Sequence, residues 1–292
     1  MSEIERIKNL PCWRQPVHAE PLSGGMTNLN FKIQEGDNIY VVRLGDDVPE
    51  HLVWRENEGV SSQVAADCGF SPRVVYRESG VLVIDFIEGK VFTAEDVRHP
   101  DNRDRLVDLL HRFHVEIPQR FDGYPILFWV FQVLRHYRNM LERGESPHIN
   151  QIPRLMDIAS EMEGAVGQID LVFGHNDLLP ANFIDDGERI WLIDFDYAGF
   201  NSPLFDLSNL ASNSEYRPDE EKKMLENYFQ SPVDDRRWRS YSAMKCASLL
   251  RETMWSMVSE IYSKIDFDYA AYTAENQQRF ERAYTEYKGE FG

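Results

Sequence analysis

Asp177, Asn182 and Asp194 follow one another at intervals of five and twelve residues. They sit in the segments Phe173-Gly174-His175-Asn176-Asp177-Leu178-Leu179-Pro180-Ala181-Asn182 and Leu192-Ile193-Asp194-Phe195-Asp196. A carboxylate, an amide oxygen and a second carboxylate are the donors that phosphoryl transfer from a magnesium nucleotide requires. One carboxylate stands beside the attacking hydroxyl, and the other two groups hold metal on the phosphates. Asp177 is the candidate general base, or the group that orients the hydroxyl. Asn182 and Asp194 are the candidate Mg2+ ligands, being hard oxygen donors. Singly, Asp and Asn are common turn residues. Together, after His175-Asn176 and before Phe195, they point to chemistry. His175 reads as a packed, hydrogen-bonded scaffold residue.

Such donors need strands to carry them. One strand pattern runs up to Asp177, and a second, over 189–193, delivers Asp194. Upstream, Ser23-Gly24-Gly25-Met26-Thr27-Asn28 precedes the first clear strand, and paired glycines let backbone amides approach a phosphate closely. No Gly-Lys-Ser/Thr follows, so this is not a Walker loop. Arg43 interrupts the apolar strand Tyr40-Val41-Val42-Arg43-Leu44. A cation there could reach the α- and β-phosphates if a carboxylate on the next helix held it. Glu58 is the expected partner and Glu56 the alternative. In the C-terminal third, Tyr216, Trp238, Tyr241, Trp255, Tyr262, Phe267, Tyr269 and Tyr272 could supply rings to a cationic ligand. Most of them are expected to be helix-core aromatics.

The wider pattern predicts a small antiparallel sheet with one helix in the first ninety residues. Strands are expected over 29–33, 39–44, 73–77 and 81–87, with a turn at 35–38 and a helix over 50–66. Long apolar-periodic segments near 102–116, 126–143, 151–167, 218–229, 236–263 and 270–288 read as helices. The predicted fold is therefore α+β and bilobal. A nucleotide-binding lobe over 1–89 joins a larger, mainly helical catalytic and substrate-binding lobe over 90–292 at Glu88-Gly89-Lys90.

The 292-residue chain is 42% hydrophobic, with a net charge of −18. That charge argues against nucleic acid or an anionic membrane as a partner and suits a cationic substrate. Cys12, Cys68 and Cys246 are far apart and odd in number, so neither a disulfide framework nor a zinc site is expected. The N-terminal residues lack the apolar stretch of a secretory signal, and no run is long enough to span a bilayer. A cytoplasmic protein is the expectation.

The segments His175-Asn176-Asp177-Leu178-Leu179-Pro180-Ala181-Asn182-Phe183, Ile193-Asp194-Phe195-Asp196-Tyr197 and Phe205-Asp206-Leu207-Ser208-Asn209 give the chain a family resemblance. It resembles the choline/ethanolamine kinases, within the aminoglycoside-phosphotransferase-like group of protein-kinase-like folds. That resemblance implies ATP and Mg2+ as cofactors and a small cationic alcohol as acceptor. It makes Ser23, Gly24, Gly25, Thr27 and Asn28 similar to the family's nucleotide loop. Arg43 stands where protein kinases carry a lysine, and the backbone of Asp85-Phe86-Ile87 looks like the adenine-binding segment. Trp255 and Tyr272 fall on aromatic positions of the choline pocket, with Tyr216 a third. Two positions depart from the family. Val258 stands where a second tryptophan is frequent, and Asn213 where a carboxylate is common, with Glu215 close by. Ethanolamine, thiamine and aminoglycosides are alternative acceptors, and a non-catalytic nucleotide-binding protein is the rival of another class. No Ala-Pro-Glu segment and no G-x-G-x-x-G loop support a protein kinase.

Overall fold

Alternation in the strands decides which face of the N-terminal sheet meets a core and which meets the site. The computed structural model of the chain describes residues 2–22 and 28–292. Its first sheet joins β1 (His18–Leu22), β2 (Leu29–Glu35), β3 (Asn38–Leu44), β4 (Val74–Glu78) and β5 (Val81–Asp85) in the order β1-β2-β3-β5-β4, all antiparallel. Pro21, which cannot donate to a ladder, sits in the edge strand β1. Phe31, Ile33, Tyr40, Val42 and Val83 pack one face against Ile7 and Leu10, on and just after the short helix α1 (Glu3–Lys8). Because side chains alternate along a strand, Arg43 leaves β3 on the opposite face, in the centre of the sheet.

The helix expected from residue 50 begins later, as α2 (Arg55–Asp67). Val48 and Val53 pair across a tight loop in which Leu52 adopts a left-handed conformation, φ 61°, and this delays the helix. The Asp47 carboxylate accepts the Arg55 amide at 2.8 Å, satisfying one of the donors a helix start leaves unpaired.

After residue 89 come β6 (Lys90–Val91), α3 (Ala94–Arg98), α4 (Pro100–Arg120), α5 (Val130–Arg143) and α6 (Ile152–Val166). Two small sheets follow. β7 (Val172–Gly174) pairs with β10 (Gly199–Asn201), and β8 (Phe183–Asp185) lies between β6 and β9 (Ile190–Leu192). The chain then enters α7 (Pro203–Asn213), α8 (Pro218–Phe229), α9 (Asp235–Tyr262) and α10 (Tyr269–Phe291). α9 is buried on almost every side, packing against α5, α6, α7 and α10. The result is the predicted arrangement of an antiparallel sheet lobe and a larger helical lobe. Among the described residues, no helix is long and apolar enough to cross a membrane.

The loop between β7 and β8, which carries Asp177, is held by a buried carboxylate from α7. Asp206 accepts the amides of His175 and Asn176 at 2.8 Å each and meets His114 Nε2 at 2.9 Å. Burial alone would push this carboxyl up, but these partners hold it below its usual range. Asn176, at φ 65°, donates to the carbonyls of Tyr197 and Gly199, and Leu178 N–H donates to Asn209 Oδ1 at 2.6 Å. Gly174 must lack a side chain, because a Cβ there would lie 2.8 Å from Asn176 Oδ1. Asp206→Ala leaves two buried amides and an imidazole without their acceptor. We expect a loss of about 3 kcal/mol in chemical denaturation, and an unchanged midpoint would show that the loop does not depend on this carboxylate.

Candidate active site

Two strands and one loop bring the predicted oxygen donors together. Asn182 Nδ2 donates to the Asp177 carbonyl at 2.9 Å, which turns the amide so that its Oδ1 is left for another ligand. Ile193 N–H donates to the Asn182 carbonyl at 3.0 Å, tying that loop to the residue before Asp194. Asp194 itself sits at φ 70°, a conformation a non-glycine residue adopts at a cost, and one often found where function holds the backbone.

Arg43 meets this carboxylate from the sheet side. Its Nη2 donates to Asp194 Oδ1 at 2.9 Å and to Asp196 Oδ1 at 3.2 Å, and its Nη1 lies 3.1 Å from Glu58 Oε1. Glu58 is thus the geometric partner. The alternative, Glu56, pairs instead with Arg77 near the surface. A second buried cation, Arg55, was not singled out in the sequence. Its Nη1 donates to Glu58 Oε2 at 2.8 Å and to Asp196 Oδ1 at 2.7 Å. Burial raises the Glu58 carboxyl against the pull of both guanidinium groups. It would lower the Arg43 guanidinium, but Asp194, Glu58 and Asp196 outweigh it, so Arg43 stays charged.

Asn28 and Arg43 also line a cavity of about 270 Å³ with Arg55 and Glu58. Asp85 spends its side chain on Arg73, with two contacts of 2.9 Å, and the amides of Asp85 and Phe86 donate to the carbonyls of Arg73 and Ile39. Ile87 follows in the chain segment between the two lobes. The expected loop residues Ser23, Gly24, Gly25 and Thr27 lie outside the described residues.

On its other side Asp177 faces α9. Arg251 Nη1 stands 3.6 Å from Asp177 Oδ1 and donates to Glu252 Oε2 at 2.9 Å, while the guanidinium lies over the Tyr197 ring at 4.3 Å. One turn further, Trp255 donates to the Tyr197 hydroxyl at 2.9 Å and meets Tyr272 edge-on, the ring centroids 6.5 Å apart. The Tyr272 hydroxyl donates to Glu252 Oε1 at 2.8 Å. His51, from the loop before α2, stacks on Trp255 at 4.7 Å and contacts Ser259 Oγ at 3.0 Å. Burial pushes this imidazole down to about 3, so it is neutral.

Trp255 and Tyr272 therefore meet beside Asp177, and Asn213 is near, its Nδ2 3.4 Å from the Leu178 carbonyl. Tyr216 does not join them. Its ring is buried and its hydroxyl donates to the Val97 carbonyl at 3.1 Å, which commits it to the α3 contact. Glu215 is turned to Arg98 at the surface. The carboxylate beside the aromatic pair is Glu252, which the sequence reading missed, as it missed Arg251. Both look like ordinary charged helix residues unless α9 is known to be buried all round.

The sequence pattern of the choline/ethanolamine kinases matches residues 19–283. The chain belongs to the choline/ethanolamine kinase family. A probable ethanolamine kinase of Arabidopsis thaliana is 28% identical over 92% of this chain and 78% of its own length. The solved choline/ethanolamine kinase family protein of Mesorhizobium loti superposes with a TM-score of 0.76 at 25% identity, covering 96% of this chain and 92% of that one. LicA, solved in complex with AMP, gives 0.77 at 22% identity over 99% and 100% of the two chains. The fold is accordingly the bilobal, protein-kinase-like one, and the protein is a small-molecule kinase that uses a nucleotide.

Asp177 of this kinase is perturbed most by burial, which pushes its carboxyl up to about 8. Arg251 opposes that rise, and Glu252, Asp194 and Asp196 add to it. Unfolding returns the group to its usual 3.8, so the folded state holds a proton that the unfolded state releases. Its contribution to stability is fully present below that lower value and declines as pH rises through about 8. Asp177→Asn should therefore melt at a higher temperature than wild type at pH 8.5 without ligands, the gap narrowing toward pH 5. Equal or lower melting temperatures at pH 8.5 would contradict this electrostatic picture.

Proposed function

We propose that this kinase transfers the γ-phosphoryl group of ATP, with Mg2+, to the hydroxyl of choline or ethanolamine. The carrying observation is the position of Asp177. Its loop is tied to Asn182 and Asp194 on one side, and its carboxylate faces Arg251, Glu252 and the Trp255–Tyr272 pair on the other. A group so placed lies between a phosphate-holding side and an alcohol-holding side.

In this reading residues 1–89 hold the nucleotide and residues 90–292 hold the acceptor and the reacting groups. Ser23, Gly24, Gly25, Thr27 and Asn28 would lie against the phosphates, Arg43 would reach them while Glu58 holds it, and the backbone at Asp85 and Ile87 would meet adenine. The AMP found in LicA supports nucleotide use by this fold. The donor set fits a hard cation, since Asn182 keeps Oδ1 and Asp194 keeps Oδ2 outside the contacts described above. Mg2+ held there would neutralise charge on the transferring phosphates. Asp177 accepts the hydroxyl proton as the oxygen–phosphorus bond forms and the bond from the γ-phosphorus to the β,γ-bridging oxygen breaks, releasing ADP. Trp255, Tyr272 and the nearby Asn213 would face the cationic head, and Tyr216, committed to the Val97 carbonyl, would not. The three cysteines are unpaired, which suits a reducing, cytoplasmic setting.

Asp177→Ala should abolish ADP release with either amino alcohol while calorimetry still records nucleotide binding. Near-wild-type turnover would sink the mechanism. Asp194→Ala should weaken ATP binding strongly when Mg2+ is present and little when it is absent. An equal loss under both conditions would remove Asp194 from the metal site.

A further inference from the structure

The acceptor side carries a charge arrangement that the family resemblance did not predict. Trp255 follows Glu252 by three residues and Arg251 by four in α9, so its side chain is a helix-surface neighbour of both. The Arg251 guanidinium is buried, with Nε and Nη2 lacking hydrogen-bond partners. Its remaining nitrogen, Nη1, serves two carboxylates, Glu252 at 2.9 Å and Asp177 at 3.6 Å. When Asp177 is ionised to take the hydroxyl proton, one cation between two carboxylates leaves one negative charge over, which is the charge a single ammonium group completes.

Glu252 is held rather than free to rotate. Each oxygen accepts one donor, Tyr272 on Oε1 and Arg251 on Oε2. A carboxylate has about four acceptor sites, so Glu252 still has capacity for N–H donors. The aromatic side is less complete. One face of Trp255 is covered by His51, and Tyr272 meets Trp255 by its edge. A quaternary ammonium has no N–H and relies on ring faces, whereas a primary ammonium can use the remaining lone pairs directly. Because Asp177 and Glu252 both adjoin the same Nη1, the hydroxyl and the ammonium must lie a short chain apart.

We propose that Glu252, fixed by Arg251 and Tyr272, is the group that reads the ammonium head, and that it selects a two-carbon amino alcohol bearing N–H over its quaternary analogue. This rests on the amino-alcohol kinase reading above. The acceptor binds with its hydroxyl at Asp177 and its ammonium at Glu252, and Arg251 holds the two carboxylates apart.

The test is steady-state ADP release with ethanolamine, N-methylethanolamine, N,N-dimethylethanolamine and choline, at saturating ATP and Mg2+. For wild type, kcat/KM should fall along the series, by about tenfold or more from first to last, the scale of a charged hydrogen bond. Glu252→Gln should cut kcat/KM for ethanolamine by about tenfold or more, cut it less for choline, and so flatten the series. A wild-type series that is flat, or that rises toward choline, overturns the Glu252 assignment while leaving the kinase reading intact. So does a Glu252→Gln enzyme that keeps the wild-type slope. Turnover of none of the four overturns both. The wild-type series is decisive even if the variant folds poorly.

Discussion

Two guanidinium groups, Arg43 and Arg55, are buried among three carboxylates, and the geometry of this kinase depends on that cluster. Arg43 comes from the middle of the sheet and Arg55 from the start of α2. Asp194 and Asp196 come from the loop after β9, about 150 residues further along the chain. A buried charge left without its partner is strongly destabilising, so each member fixes the others. Glu58 and Asp196 each touch both arginines, one from α2 and one from the loop after β9. The cluster thereby sets where the sheet lobe stands relative to the loop that carries Asp194.

A third buried guanidinium repeats the device on the other side of Asp177. Arg251 lies against Asp177, Glu252 and Tyr197, linking the loop that would orient the hydroxyl to the helix that would read the substrate. Asp177 thus sits between two fixed cations, Arg251 close by and Arg43 beyond Asp194. Burial holds its proton more tightly than usual. A carboxylate left with that affinity near neutrality is costly to ionise at rest and well suited to receive a proton during reaction.

What the sequence disclosed, it disclosed through local pattern. Asp177, Asn182 and Asp194 stood out because their spacing is short and their residue types are chemically specific. Arg43 and Glu58 could be paired because a polar residue in an apolar strand demands a partner nearby. Arg55 escaped because, with Glu58 three residues on, it resembles an ordinary surface pair, and nothing local reveals that Asp196 closes on it from far away. Arg251 and Glu252 escaped for a related reason. A helix buried on every side has no polar face, so charged residues in it carry no periodic signal. α7 went unread in the same way, since Pro203–Asn213 is buried throughout almost its whole length. The start of α2 was misplaced by the left-handed turn at Leu52, a backbone choice that propensity does not foresee. Tyr216 was grouped with Trp255 and Tyr272 by the family resemblance, yet its direction is set by the Val97 carbonyl.

His51 belongs to the segment that follows the sheet strand bearing Arg43, yet its ring rests on Trp255 of the central helix. That stack ties the segment after β3 to the central helix, as the arginine cluster ties β3 to the loop after β9. Any displacement of that segment from α9 must slide an imidazole across an indole. The indole of Trp255 is consequently an intrinsic fluorescent gauge of that contact, its emission tied to whether a histidine 204 residues earlier in the chain remains stacked on it.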